Sequence, residues 1–313
     1  MKEKLVATVV LYLTNKQGVE KVIENINSYA PFVEKIYIVD NSAFDNSEIA
    51  KKVSNSVYIP NLKNLGIATA LNKGCELALQ DGFEWILTMD QDSNFKSDEL
   101  SNFLYLCEKH YIENQNIKSF APEQNDSGKN VIAISKWICF NILSPMKRKV
   151  FGTPKTLKKD VESVNYVITS ANIIYLPIWE NIGKFDEKLF IDEVDHDFCI
   201  RLKLHGYEIV KFNTCFVEHT LGNRKITLFP KYNYQSDFRL FYIFRNHMIE
   251  NARYGNLPFA RNFKKEIWYY FKDYCIFDIK AIKHIFIFFR AQKAFKEFIK
   301  TDSVIQNTKG KQC

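Results

Sequence analysis

Two acids one residue apart, Asp90 and Asp92, close an apolar run that reads Trp85-Ile-Leu-Thr-Met89. A buried strand that stops at carboxylates delivers them to its carboxyl end, where open α/β sheets bind their ligands. As the chain turns out of the strand, both groups can reach one hard cation of the kind held by oxygens and by a substrate's phosphates. An Asp-x-Asp pair is common by chance. Its weight here comes from its place after a strand.

A second acidic stretch runs from Phe185 to Asp195, with five acids between Asp186 and Asp195. Beyond it, Asp195 to His205 has helical spacing, with Phe198, Cys199 and Leu202 facing inward. Acids at a helix start favour its dipole, so one reading is a capped helix. The other is a site, because so many carboxylates beside two phenylalanines exceed what one cap needs. His219 precedes a glycine turn at Gly222, and a lone histidine is functional only through its company. Thr169 and Ser170, inside the apolar run Val164 to Leu176, either line a pocket or sit in a packed strand.

The elements that must position these groups are legible as alternating runs. Val6 to Leu13, Ile36 to Val39 and Ser56 to Ile59 read as strands, each ending in polar residues. A helix is predicted from Gly18 to Tyr29 and another from Ser97 to His110. Asn64-Leu-Gly66-Ile-Ala68 opens a helix of small residues through Asn72 and Gly74, which lets a helix and a ligand approach a sheet closely. That turn lacks Gly-x-Gly-x-x-Gly, so a nicotinamide-binding loop is not indicated. The pattern predicts an α/β fold with a parallel sheet covered on both faces. Asn125 to Gly128 reads as a turn, Val131 to Ile134 as a strand and Met146 to Lys159 as a basic loop. From Gly206 to Lys211 a helix ends and a further strand begins.

At 313 residues, 46% of them apolar, the chain affords one large domain with an appendage or two domains. Seven scattered cysteines without a Cys-x-x-Cys pair indicate neither a disulfide framework nor a zinc knuckle, and read as reduced thiols in cytosol. The amino terminus reads as a first strand, not a signal peptide, and no run approaches the ~18 apolar residues of a membrane span. Net charge is +7, and it is uneven: from Ile226 onward 16 Lys/Arg face 7 Asp/Glu, which leaves the preceding chain at −2. Between Arg261 and Lys300 those cations interleave with Phe, Tyr and Ile at helical spacing. Such helices lie in an anionic membrane interface or pack on a catalytic domain.

Taken in order, Ile38-Val-Asp40-Asn-Ser42, Asn64 to Ala68 with Asn72-Lys-Gly74, Met89 to Ser93, Thr169-Ser170, Phe185 to Asp192, Val194 to Arg201, His219 with Gly222, and Arg245-Asn246 resemble the inverting GT-A glycosyltransferases of family 2 type. The Asp-Gln-Asp-Ser form and the Leu-Phe-Ile-Asp block are most similar to the rhamnosyltransferase-like branch of bacterial polysaccharide assembly. Two departures stand out: Leu11 to Asn15 where the family more often has Thr-Tyr-Asn, and Phe198 where this branch often has tryptophan.

The resemblance implies a Rossmann-like, mostly parallel sheet in residues 1–225, with a nucleotide-binding half over about 1–95 and an acceptor half over about 96–225. A basic amphipathic helical region over 226–313 would follow. It implies donor contacts at Asp40, Asn64, Gly66, Asn72, Asp90 and Asp92, with Asp90 on the ribose or the metal. Asp92 and His219 would ligate Mg²⁺ or Mn²⁺, Asp195 would be the general base, and Asp192 and Arg245 would lie on the acceptor or diphosphate side. The expected reaction moves a sugar, rhamnose from dTDP-rhamnose or another UDP- or dTDP-hexose, to a saccharide acceptor, lipid-linked, in capsule, O-antigen or cell-wall synthesis. The protein would be cytoplasmic, peripheral on the inner face of the plasma membrane through residues 261–300. A non-enzyme that binds nucleic acid or a membrane through the basic tail is the alternative of another class. Nucleic acid is disfavoured as a partner because the tail's cations are spread at helical spacing and the front of the chain is slightly acidic.

Overall fold

The computed structural model describes residues 5–96, 98–126, 159–219, 235–276 and 280–305. The chain forms two compact units, Met1–Asn125 with Lys159–Thr220, and Asp126–Lys158 with Leu221–Cys313.

The first unit begins β1 (Leu5–Leu11), α1 (Val19–Asn27), β2 (Ile36–Asp40), α2 (Glu48–Lys51), β3 (Ser56–Pro60), α3 (Ile67–Gln80) and β4 (Trp85–Asp90). There follow β5 (Ser93–Asn94), α4 (Glu99–Glu113), β6 (Ile117–Asp126), β7 (Val161–Ser163), β8 (Asn172–Tyr175), α5 (Leu176–Asn181), α6 (Val194–Leu204) and β9 (Glu208–His219). The second unit holds α7 (Asp237–Tyr254), α8 (Phe263–Phe271) and α9 (Ala281–Thr301).

All nine strands share one sheet, in the order β3-β2-β1-β4-β8-β6-β9-β5 with β7 beside β9. β1 pairs in parallel with β2 and β4, and β2 with β3. Beyond β4 the pairings β4–β8, β6–β8, β5–β9 and β7–β9 are antiparallel. β1 is buried at every position, as a strand covered on both faces must be. Its Leu5, Ala7, Val9 and Leu11 join α1 and α4 in one core. The opposite face meets α3: a Cβ on Gly74 would lie 2.1 Å from Thr8 Oγ1. The small residues of α3 are therefore a condition of its contact with the sheet.

The apolar run Val164 to Leu176 yields only four residues of strand, because Ala171 turns with φ +62° and Pro177 begins a helix. At Asn125 and Asp126, where a turn is expected, β6 continues. The rest of that turn, the strand over 131–134, nearly all of the loop over 146–159 and Gly222 lie outside the described residues. Among the described residues no helix is long and apolar enough to cross a membrane.

In the second unit Leu240, Phe244, Tyr274, Cys275, Ile287 and Ala291 form a core. Arg253 and Asp302 close it with a buried ion pair at 2.5 Å.

Candidate functional site

A turn at Gln91 and Asp92, directly after β4, sorts the acid loop. Gln91 turns away from its neighbours, and its side chain bonds the backbone of Tyr12 twice, accepting from N at 2.8 Å and donating to O at 3.3 Å. Its carbonyl accepts from Asn25 Nδ2 at 2.9 Å. Asp90 and Asp92 stay together at the carboxyl end of β4. β5 then pairs with β9 so that Ser93 stands opposite His219. That register brings His219 Nε2 to 3.3 Å from Asp92 Oδ1 and 3.8 Å from Asp90 Oδ2. One ligand atom from each of the three residues lies within 4.8 Å of the others.

The cluster is graded in exposure, His219 most covered and Asp92 most open. Behind it, the Tyr29 hydroxyl is fully buried and has no hydrogen-bond partner among the described residues. Burial first, and the charge of Asp90 second, push its phenol far above the ordinary range. Two carboxylates and an imidazole form a donor set suited to a divalent cation that accepts oxygen and nitrogen, Mn²⁺ and Mg²⁺ among them.

The segment 167–172 touches both informative stretches. Ser170 Oγ donates to Ser93 Oγ at 2.6 Å, beside the acid pair. Cys199 Sγ, on α6, donates to the carbonyl of Val167 at 3.6 Å. Thr88 Oγ1 locks the middle of the segment by donating to the carbonyl of Thr169 at 2.5 Å.

Asp195 opens α6. Its Oδ1 accepts from the N–H of His196 at 2.9 Å, and its other oxygen accepts from none of the described residues. Just before it Phe190, Asp192 and Glu193 all have positive φ, between 61° and 69°. Backbone strain of this kind persists only where the surroundings over-determine it. Here Ile67 donates to the Phe190 carbonyl at 2.7 Å, and Glu193 Oε2 is 2.8 Å from His196 Nδ1. Beneath α6, Asp197 is fully buried and receives Arg201 Nε at 2.8 Å. Arg201 also donates to the carbonyls of Ile182 and Lys184 at 2.7 and 2.6 Å.

The remaining expected residues divide by environment. Asp40 is buried, accepting from Ser42 N at 2.8 Å and from Asn46 Nδ2 and Tyr58 Oη at 2.7 Å each, so it braces the loop after β2. Exposed Asn64 accepts from Gly66 N at 3.0 Å, and Asn41 Nδ2 donates to the Gly66 carbonyl at 2.9 Å. Asn72 is buried and spends its amide on the chain, donating to the Phe185 carbonyl and Glu187 Oε1 and accepting from Phe185 N. What it holds in place is the segment leading to Asp192. Arg245 lies on α7 in the second unit, where it donates to Asn246 Oδ1 at 2.8 Å.

In the sequence Ser170 reads as a pocket or packed-strand residue, whereas Gln91, Ser93 and the Asp197–Arg201 pair have no role of their own. Only the last left a trace in the sequence, an acid and an arginine four apart on one helix.

Residues 8–151 match the family described as Glycosyl transferase family 2. The chain is 25% identical over 233 residues to the dTDP-rhamnosyl transferase RfbF of Shigella flexneri, covering 73% of each. In fold it is similar to the mannosyltransferase PcManGT from Pyrobaculum calidifontis, solved with GDP-Man and Mn²⁺, with a TM-score of 0.53 and 12% identity over 96% of this chain and 76% of that one. GalNAc-T7, solved with UDP, GalNAc and Mn²⁺, aligns with a TM-score of 0.49 and 10% identity over 89% of this chain, which spans 57% of that protein's length.

Proposed function

We propose that this chain, which has the GT-A fold and whose residues 8–151 match glycosyl transferase family 2, transfers rhamnose from dTDP-rhamnose to a saccharide acceptor with inversion. The observation that carries the reading is the Asp90, Asp92 and His219 cluster at the carboxyl end of β4. Likeness to RfbF supports the sugar, and the Mn²⁺ named with PcManGT supports a divalent ion. When bound, Mg²⁺ or Mn²⁺ neutralises negative charge on the departing diphosphate.

The chain's own groups do the rest. Asp92, Asp90 and His219 orient the diphosphate end of the donor, with Asp40 holding the loop after β2 against the base and Asn64 and Gly66 shaping the turn beside it. Asp195 takes the proton of the acceptor hydroxyl on its open oxygen as the sugar carbon gains oxocarbenium character. Asp192 serves the acceptor or diphosphate side, residues 1–95 the donor and 96–225 the acceptor. The acceptor is a lipid-linked saccharide of capsule, O-antigen or cell-wall synthesis, met at the inner face of the plasma membrane.

Thermal unfolding with a panel of nucleotide sugars tests this. dTDP-rhamnose should raise the melting temperature only with Mn²⁺ or Mg²⁺ present, reflecting the ~2.7 kcal/mol of stabilisation expected at a hundredfold excess over Kd. Asp92→Asn should abolish the shift. Asp195→Asn should keep it while lowering turnover by about 10²–10⁴. A shift from UDP-hexoses alone would move the donor, and turnover preserved in Asp195→Asn would remove the base.

A further inference from the structure

The second unit carries two apolar faces on a helix whose packing uses one. On α9, His284, Ile287 and Ala291 are buried against α7 and the turn after α8. On its other side Ile282, Phe286 and Phe289 follow one another at helical spacing and are 75%, 65% and 57% exposed. A stripe of large apolar groups in water needs a partner.

The charges beside the stripe indicate which. α9 carries Lys283, Arg290, Lys293, Lys296 and Lys300 against the single acid Glu297. Next to the stripe is a cavity of about 340 Å³ walled by Phe238, Phe241, Tyr242 and Ile287, with Asp237, Lys283 and Arg290 at its polar side. Asp237 is neutralised within the fold, paired to Lys283 and 3.4 Å from His284 Nε2. The Arg290 guanidinium lies 5.8 Å over the Phe241 ring, and no carboxylate of a described residue pairs with it. An aromatic cavity with one uncommitted guanidinium suits a phosphate that carries apolar chains.

We propose that the second unit docks in plane on an anionic phospholipid bilayer through Ile282, Phe286 and Phe289, seating one lipid phosphate at Arg290. The helix has 21 residues but too many cations to cross, so it lies at the interface, aromatics below and cations at phosphate depth. Trp268 and Tyr269 on α8 are exposed too, with Lys265 and Lys272 within 5.7 Å of the Tyr269 ring. A second copy is disfavoured as the occupant, since it would bring like charges face to face. This deepens the membrane-facing part of the function above, and it is tested by binding alone.

The test is co-sedimentation of the full chain with vesicles of phosphatidylcholine containing phosphatidylglycerol, or of phosphatidylcholine alone. Binding should require phosphatidylglycerol and weaken as salt shortens the screening length. Phe286→Ser should weaken it about tenfold or more, as expected for one aromatic group kept out of an apolar phase. Arg290→Gln should weaken it about fivefold and flatten the salt dependence. No sedimentation at low salt, or equal binding by a Phe286→Ser, Phe289→Ser double variant, overturns the proposal. So does a concentration-dependent dimer abolished by Phe286→Ser, or saturation of the Arg290 cavity by inorganic phosphate that leaves vesicle binding intact. The nucleotide-sugar shift is read in the same variants and should be unchanged. In the parent chain, absence of vesicle binding with that shift intact defeats docking alone, whereas a missing shift with docking intact defeats the transfer reaction alone.

Discussion

Arg201 and Arg290 sit on helices of the two units in opposite settings. Arg201 is nearly enclosed, with Asp197 buried against it and two backbone carbonyls each accepting a further N–H. Arg290 is exposed on α9 and rests on an aromatic ring. The first unit therefore uses charge inside, to fix where one segment of chain stands relative to another. The second leaves charge and aromatic surface outside, where it contributes little to folding and is available to a partner.

The largest expected effect breaks or upholds that contrast directly. Arg201→Ala strands Asp197 and the carbonyls of Ile182 and Lys184, and removal of one member of a buried pair costs about 3–5 kcal/mol. Arg290→Ala should change unfolding by no more than about 0.5 kcal/mol, as surface substitutions usually do. Urea unfolding of the two variants decides it. Equal losses would mean that both arginines are structural.

Two glycines sharpen what the first unit's loops do. Gly66 and Gly82 have φ of +86° and +85°, so alanine at either meets backbone strain of about 1–3 kcal/mol. A Cβ on Gly82 would meet nothing within 4 Å, whereas on Gly66 it would lie 2.7 Å from the Phe190 ring and carbonyl. Gly66→Ala should therefore push on the strained turn that precedes Asp195. Sugar transfer should fall in Gly66→Ala and hold in Gly82→Ala, measured at a temperature where both are folded. Equal activity in the two variants would detach that turn from the site.

The same contrast explains what could be read without coordinates. β1, β2 and β4 were legible because a strand buried on both faces must be a mostly apolar run; β2 and β4 end at the expected acids, whereas β1 stops at Leu11, two residues short of the expected Leu13. Expected helix ends moved by one to three residues, as at Val19–Asn27 and Glu99–Glu113, since a periodic pattern does not mark its own cap. The pairing beyond β4 was not legible. β5 is two residues long and carries no pattern, yet its register with β9 is what brings His219 to the acids. Asn72 looked like a ligand contact because an amide in a helix of small residues has the same letter whether it faces a ligand or, as here, the chain. The spacing of Asp197 and Arg201 was visible, but a burial that turns a surface pair into a brace depends on segments far away in sequence.

The smallest expected effect concerns two acids, each beside a lysine, one in each unit. Asp81 accepts from Lys35 Nζ and from Tyr37 Oη at 2.6 Å each, and the Lys35 bond above all holds its carboxyl below the ordinary range. Asp237 is lowered first by its bond to Lys283. A carboxylate whose folded pKa is depressed adds stability above its unfolded pKa, near 3.8 here, and loses it as pH falls through the folded value. At pH 6 Asp81→Asn and Asp237→Asn should each unfold slightly more easily than the parent, and both differences should shrink as pH falls through the depressed folded values, below the unfolded 3.8. Vesicle binding separates the pair. Asp237→Asn releases Lys283 at the cavity and should strengthen binding to phosphatidylglycerol vesicles about fivefold, the increment of one cation near an anionic surface. Asp81→Asn releases Lys35 in the first unit and should leave that binding unchanged. If freeing Lys35 strengthened it as much, the bilayer would be reading net charge alone, and the distinction between an inward-looking and an outward-looking unit would fail.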